Sequence, residues 1–452
     1  MSDLFPFVIE FGSHSIKAGF GNSKKRIPSF VLPTIVGKVI GSGVYEDKPE
    51  LSFVTPFRRE KIESKAAYED LLEYTVEQLL ELSKKSAQEC SVLITFPLNG
   101  SREDLNKLYE ILYDKYKFGA VHVTSDAEMS LMASGKPTGV VVQMGHEVTS
   151  IVAIIDNTPQ KIMYLEHLKY ETIDLAGRDL SEFLKSEIPE SFKFNSPQGQ
   201  KEADKYKEEN CFVSLNYEKE LQKFKNSETK NSPDDVMDEI RPKPANFKFI
   251  NNKTAISKKY SSMLQFGEFS TSSTSSPVPK SQTVFEGPEA FFQSGIIGTD
   301  RHRLPEKIYN VITKCDNIDY HGLLYGNIIL SGGSSKIKGL RERLKVSIKG
   351  LAPGDAQVNI SFPHERDPSE SDGGYTSEEP ENEGNPKTGS PGIESLELAA
   401  FRGACKLTQL PHYVSLLKTK DQYGEVPIMR SRTRRSVRIS RPPSIALYAA
   451  DN

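Results

Sequence analysis

The chain has 452 residues, too many for a single hydrophobic core, so two lobes or more are expected. A hydrophobic content of 37% and a formal net charge of -3 describe a soluble globular protein and exclude a generally basic nucleic-acid binder. The longest apolar runs fall far short of a membrane span and no charged-then-apolar leader opens the chain; the expectation is no membrane partner and a cytosolic or nuclear home.

In chain order, the first element is a hairpin at 7–20, FVIEFGSHSIKAGF. An apolar strand with Val8 and Ile9 turns through Gly12, Ser13 and His14 into a second strand carrying Ile16 and Lys17. A strand-rich link follows at 26–38, and then only a short stretch before Phe57. Residues 66–82 predict an amphipathic helix, with Leu72, Val76, Leu79 and Leu80 on one face and Glu69, Glu73 and Glu77 on another. Residues 91–97, SVLITFP, predict a buried strand, and 101–116 a helix with a polar cap.

A second hairpin lies at 141–152, VVQMGHEVTSIV, where two β-branched strands meet at Gly145. A glycine there lets a ligand approach the backbone closely, although an ordinary buried hairpin would look the same. A strand at 162–168 and a helix from Asp174 or Ala176 through Leu184 come next. The insertion at about 224–283 ends in Ser, Thr and Pro text that reads as a flexible surface loop. At 327–339, NIILSGGSSKIKG, a strand feeds Gly332 and Gly333 and a helix start at Ser334 or Ser335, an arrangement that recurs at anion and nucleotide cradles.

The stretch 364–392 carries eight acidic residues between Glu365 and Glu383 and reads as a solvated spacer. A helix at 396–407 closes the fold. The tail 430–441, RSRTRRSVRISR, begins at Arg430, ends at Arg441 and holds six arginines. It suits a DNA or nucleosome contact, an import signal or a solvated end equally well. The four isolated cysteines, Cys90, Cys211, Cys315 and Cys405, lack metal-ligand spacing and predict buried free thiols.

Two like hairpins followed by a strand with Gly-Gly suggest a duplicated design, and their order resembles the actin superfamily. So do IDLAGRDL (173–180), KEENCFVSL (207–215), GPEAFFQ (287–293), ITKCD (312–316) and LSGG (330–333). The resemblance runs from about residue 8 to about residue 417. It implies an α/β fold of the actin, hexokinase and heat-shock chaperone type, two-lobed, with duplicated five-stranded-sheet domains. The expected division is 1–136 as subdomains 1 and 2 with a shortened subdomain 2 loop, and 137–363 as subdomains 3 and 4. The acidic insertion 364–392, a return to subdomain 1 at 393–429 and a basic tail at 430–452 complete it.

The resemblance also assigns a cleft. Ser13 and Lys17 match phosphate contacts, Gly145 the second phosphate loop, Lys207 and Glu208 the adenine side, and Gly332 and Gly333 the third glycine turn. Glu10 stands where the family has an aspartate. Gln143 and His146 replace the two aspartates of the second loop, Glu147 replaces a glycine, Asp126 a water-positioning glutamine, and Ile337 a ring-stacking tyrosine. Gln143 lacks the charged oxygen that Mg²⁺ prefers. The implied outcome is no catalytic residue, no metal site, hydrolysis lost or very slow, and no required cofactor. ATP, if bound at all, is bound weakly.

The GSH turn, the short subdomain 2 and the basic tail look most like the nuclear actin-related subunits of SWI/SNF- and RSC-type chromatin remodelling complexes. That resemblance implies two partners, a long helix of the motor ATPase and a second actin-like protein. The helix would lie in a groove near Gly135, Thr138, Tyr164 and the terminal helix from Phe401 to Leu416. The alternatives are a cytoplasmic structural subunit, such as the pointed-end actin-related subunit of dynactin, and a nucleotide-binding cytoskeletal filament former.

Overall fold

The hairpin expected at 7–20 forms as β1 (Phe5–Phe11) and β2 (Ser15–Phe20), antiparallel, with Phe7 opposite Phe20 and Glu10 opposite Lys17. It is seen in a computed structural model that describes residues 4–40, 50–59, 61–155, 169–185, 196–230, 281–297, 303–315, 317–363 and 396–423. The expectations for the strand at 162–168, for Tyr164, for 231–280, for the acidic stretch and for the basic tail lie outside these residues.

β3 (Phe30–Pro33) adds to β2, while β4 (Val36–Ile40) and β5 (Glu50–Val54) pair as a separate ribbon from the shortened link. β6 (Phe57–Arg58) and β7 (Lys61–Ile62) make a small turn whose Phe57 and Ile62 pack into the first core. Next come α1 (Lys65–Ser83), β8 (Cys90–Thr95), α2 (Arg102–Tyr109), β9 (Ala120–Thr124) and α3 (Asp126–Ser134). The helix expected at 101–116 continues past α2 as a single π-helical stretch, Glu110–Lys115.

The second half repeats the plan. β10 (Gly139–Met144) and β11 (Thr149–Ile154) are the expected hairpin, and β12 (Lys169–Ile173) adds to β11. Then follow α4 (Gly177–Phe183), α5 (Pro197–Asn210), α6 (Tyr217–Lys230), α7 (Thr283–Glu289), α8 (Leu304–Thr313) and α9 (Asp319–Gly326). β13 (Ile328–Ser331), α10 (Leu340–Leu351), β14 (Ile360–Ser361) and α11 (Ala399–Thr408) complete the described chain.

The two sheets run β3-β2-β1-β8-β9 and β12-β11-β10-β13-β14. In each, the two hairpin strands and their outer neighbour are antiparallel and the last two strands are parallel. Equal topology in two halves is the duplication that the glycine turns announced.

Both sheets are covered on both faces, which is why β8 is buried at all six positions rather than at alternate ones. Phe7, Ile9, Val92 and Ile94 face α1 with Leu72, Val76 and Leu79, while Val8 and Leu93 face α11 with Phe401 and Ala404. In the second sheet Val140 and Val142 face α8 and α10, and Val141 and Ile329 face α3 through Ala127 and Leu131. α3 therefore forms a wall common to both lobes: Met129 belongs to the first core and Leu131 to the second. All four cysteines are free and buried, as expected. Among the described residues no helix is long and apolar enough to cross a membrane.

Candidate functional site

The turn of each hairpin, the start of α3, the middle of α5 and the glycines after β13 face one cavity of about 800 Å³. Ser13, Lys17, Gly145, Lys207, Glu208, Gly332 and Gly333 all line it, as do Gln143 and Asp126. The fold brings the predicted set together. One element differs: Ser334 and Ser335 lie in a short 3-10 turn, Gly333–Lys336, and the α-helix begins only at Leu340. Gly339 sits between them with φ 78, in the left-handed region that ends one helix and precedes another. Gly332 is obligatory for a different reason, since a Cβ there would stand 2.4 Å from the Met144 carbonyl.

The floor belongs to Glu10. Its Oε1 accepts from Lys17 Nζ at 2.5 Å and its Oε2 from the Phe401 amide at 3.0 Å. Both oxygens are spent inside the protein, and Lys17 is drawn to the floor with them. Burial, opposed by Lys17 and reinforced by Asp126, pushes the Glu10 carboxyl upward. Asp126 begins α3, whose N-cap Ser125 forms a reciprocal capping box with Glu128. Burial also raises Asp126, against Thr95 and Lys17, and its Oδ1 has no hydrogen-bond partner among the described residues. Gln143 Oε1 accepts from the Ser130 hydroxyl at 3.2 Å, and the Ser130 and Ser331 hydroxyl oxygens stand 2.9 Å apart. Gln143 is thus tied back to α3.

Glu147 is the largest departure from a phosphate loop. It does not line the cavity; it is 1% exposed and held by two arginines. Arg178 Nη1 donates to its Oε1 at 2.7 Å, and the Arg59 amide donates to its Oε2 at 3.0 Å. Arg59, with φ 55 in the β6–β7 turn, also forks onto Asp179 with two bonds of 2.7 Å. Arg59 stands on the first lobe; Asp179 and Glu147 stand on the second. A bidentate guanidinium pair is the strongest form of such a bridge.

A second bridge spans the same cleft. His14 Nε2 in the first turn lies 2.8 Å from Asp204 Oδ2 on α5, and Asp204 Oδ1 lies 2.9 Å from Lys207 Nζ. Burial pulls the Asp204 carboxyl up, but His14 and Lys207 outweigh it and hold it well below the usual carboxylate range. The His14 and His146 rings meet with centroids 4.8 Å apart, so the two glycine turns touch through imidazoles. Burial, and then His14, keep His146 well below the usual imidazole range. At the far end Lys336 pairs with Glu397 at 2.5 Å and reaches Glu208 at 3.5 Å.

Sequence reasoning missed Arg59, Arg178, Asp179, Asp204, Lys336 and Glu397. Their pairings join elements far apart in the chain, so no local spacing announces them. The stretch IDLAGRDL did contain Arg178 and Asp179, and two unlike charges behind a glycine turn were the available signal.

The donor set decides which parts of a nucleotide could fit. The end lined by Lys207, Glu208, Gly332, Gly333 and Ser334 presents an ammonium, a carboxylate, a hydroxyl and glycine backbone, the groups that could contact a base and ribose. At the hairpin turns the cavity offers one unpartnered carboxylate oxygen among the described residues, on Asp126, and Mg²⁺ at a phosphate site draws most of its oxygens from water and the phosphates themselves. Among the described residues no three His, Cys, Asp or Glu side chains converge on a metal position.

Two covered five-stranded sheets of equal topology, with a cleft between their hairpin turns, define the actin class of two-lobed α/β proteins. The chain belongs to the actin family: the family described as Actin matches residues 2–374. One similar relative is "Actin-related protein 2" of Saccharomyces cerevisiae, 26% identical over 365 residues, which are 76% of this chain and 81% of that protein.

Proposed function

We propose that this chain is a non-hydrolysing, non-polymerising actin-related protein that serves as a fixed structural subunit of a larger assembly. The observation that carries the reading is the pair of bridges across the cleft, Arg59 to Asp179 and Glu147, and His14 to Asp204. Side chains hold the lobes where a nucleotide and its metal would otherwise have to. With Glu10 and Gln143 both engaged internally, no carboxylate pair remains to organise a metal-bound water shell.

Within that role the chain holds a helix of a partner in the groove beside α11. The GSH turn and the short subdomain 2 link favour the motor subunit of a nuclear chromatin remodelling complex, with a second actin-like protein alongside. The similarity to a protein named actin-related protein 2 favours a cytoskeletal assembly instead. Purification of the tagged chain from nuclear and cytoplasmic fractions, with identification of stoichiometric partners, separates the two. A remodelling motor in the nuclear fraction supports the first. Recovery as a free filament with actin-like phosphate release overturns both.

A further inference from the structure

The helix that closes the fold carries charge where an apolar lining was expected. Phe401, Leu407, Tyr413 and Leu416 are buried in the first lobe, and Thr138 is buried as well. The residues of α11 left facing outward include Arg402 and Lys406, one turn apart. Lys406 lies against the end of α3, where a Cβ on Gly135 would stand 3.3 Å from its Nζ. Gly135 ends α3 with φ 75 and puts no side chain over this notch.

Lys406 is half-buried, and no carboxylate among the described residues pairs with it. Burial, and then the neighbouring Arg26, hold its ammonium below the usual lysine range. Arg26 gives Nη2 to Gln409 at 3.1 Å, while its buried Nε has no partner among the described residues. Lys136, next after Gly135, is engaged with Asn327 at 2.9 Å. Two cations brought close without a counter-charge repel each other, and an anion entering the notch relieves both.

We propose that the notch between α11 and the end of α3 takes an acidic helix, an amphipathic partner segment that sets a Glu or Asp against Lys406 and Arg26. This rests on the helix-holding reading above and adds the chemistry of the partner. Gly135 puts no side chain between a partner's backbone and the Lys406 ammonium. A nucleic acid is the poorer fit, because phosphates need cations strung along a surface, whereas here a half-buried ammonium waits in a recess.

The test is a displayed library of amphipathic helices of about five turns. It is randomised at its polar positions and selected on the full chain and on its Lys406→Glu variant. Thermal unfolding of both chains checks folding, and where Lys406→Glu unfolds early, Lys406→Gln carries the comparison. The expected result is enrichment of Asp or Glu at one position on the full chain, and of Lys or Arg there on Lys406→Glu. The acidic helix should bind Lys406→Gln about tenfold more weakly. Helices selected without acidic preference overturn the proposal and leave the helix-holding reading standing; no helix selected on either chain overturns both. Duplex DNA that displaces the acidic helix from the full chain but no longer binds Lys406→Gln assigns the notch to nucleic acid, and also overturns it.

Discussion

At the scale of single residues, Glu147 changes meaning between sequence and structure. Read along the chain, it is a negative charge in a phosphate loop; folded, it is an acceptor for Arg59 and Arg178. The side chains of Arg59 and Asp179 are 30% and 25% exposed, so their bond is partly shielded from water without being fully desolvated. A double-mutant cycle on Arg59→Ala and Asp179→Ala should give a coupling of about 1 to 2 kcal/mol in denaturant unfolding. A coupling near zero would mean that the fork is a surface ornament. His122 offers a pH test. Burial lowers its imidazole from 6.5 to about 4, against a hydrogen bond that the ring donates to the Leu416 backbone carbonyl. Between those values the unfolded chain holds the extra proton. The stability linked to a neutral His122 is therefore complete above about pH 6.5 and lost as pH falls toward about 4, a change of up to about 3 kcal/mol. His122→Gln should show a shallower loss between about pH 7 and about pH 4.5. Glu10 and Lys17 were visible in the sequence as hairpin residues. Their mutual bond follows from the strand register, which a single sequence leaves open.

At the scale of elements, runs of Val and Ile around a glycine were enough to place both hairpins, because β-branched side chains and a turn residue leave few alternatives. The helix expected at Ser334 failed for a local reason. Ser335 turns its hydroxyl onto the Gly332 carbonyl at 2.6 Å, and Gly339 interrupts before α10 can begin. The groove was expected along the terminal helix from Phe401 to Leu416, and both of those side chains are buried in the first lobe, since Phe401 and Leu416 satisfy an apolar groove and an apolar core equally well in text. Contact between α11 and α3 is closest at Gly403, where a Cβ would fall 1.7 Å from the Met129 carbonyl. Gly403→Ala must therefore push backbone from backbone, and a loss above about 3 kcal/mol, or failure to fold, is expected by thermal or urea unfolding. Wild-type stability in that variant would refute the packing described.

At the scale of the whole molecule, the two bridges predict how the cleft responds to ligand. Calorimetric titration with ATP and Mg²⁺ should show no tight, metal-dependent binding, and sedimentation in the same buffer should leave the chain in the supernatant. Tight binding that disappears without Mg²⁺ would restore a working nucleotide site. The common wall has a consequence of its own. Because α3 gives Met129 to one core and Leu131 to the other, neither lobe can melt without uncovering apolar surface in its neighbour. Heating should accordingly produce one calorimetric transition with equal van't Hoff and total enthalpies. A proteolytic cut between the lobes should release no half that refolds alone. The duplicated plan reads as two units in topology and behaves as one in cooperativity.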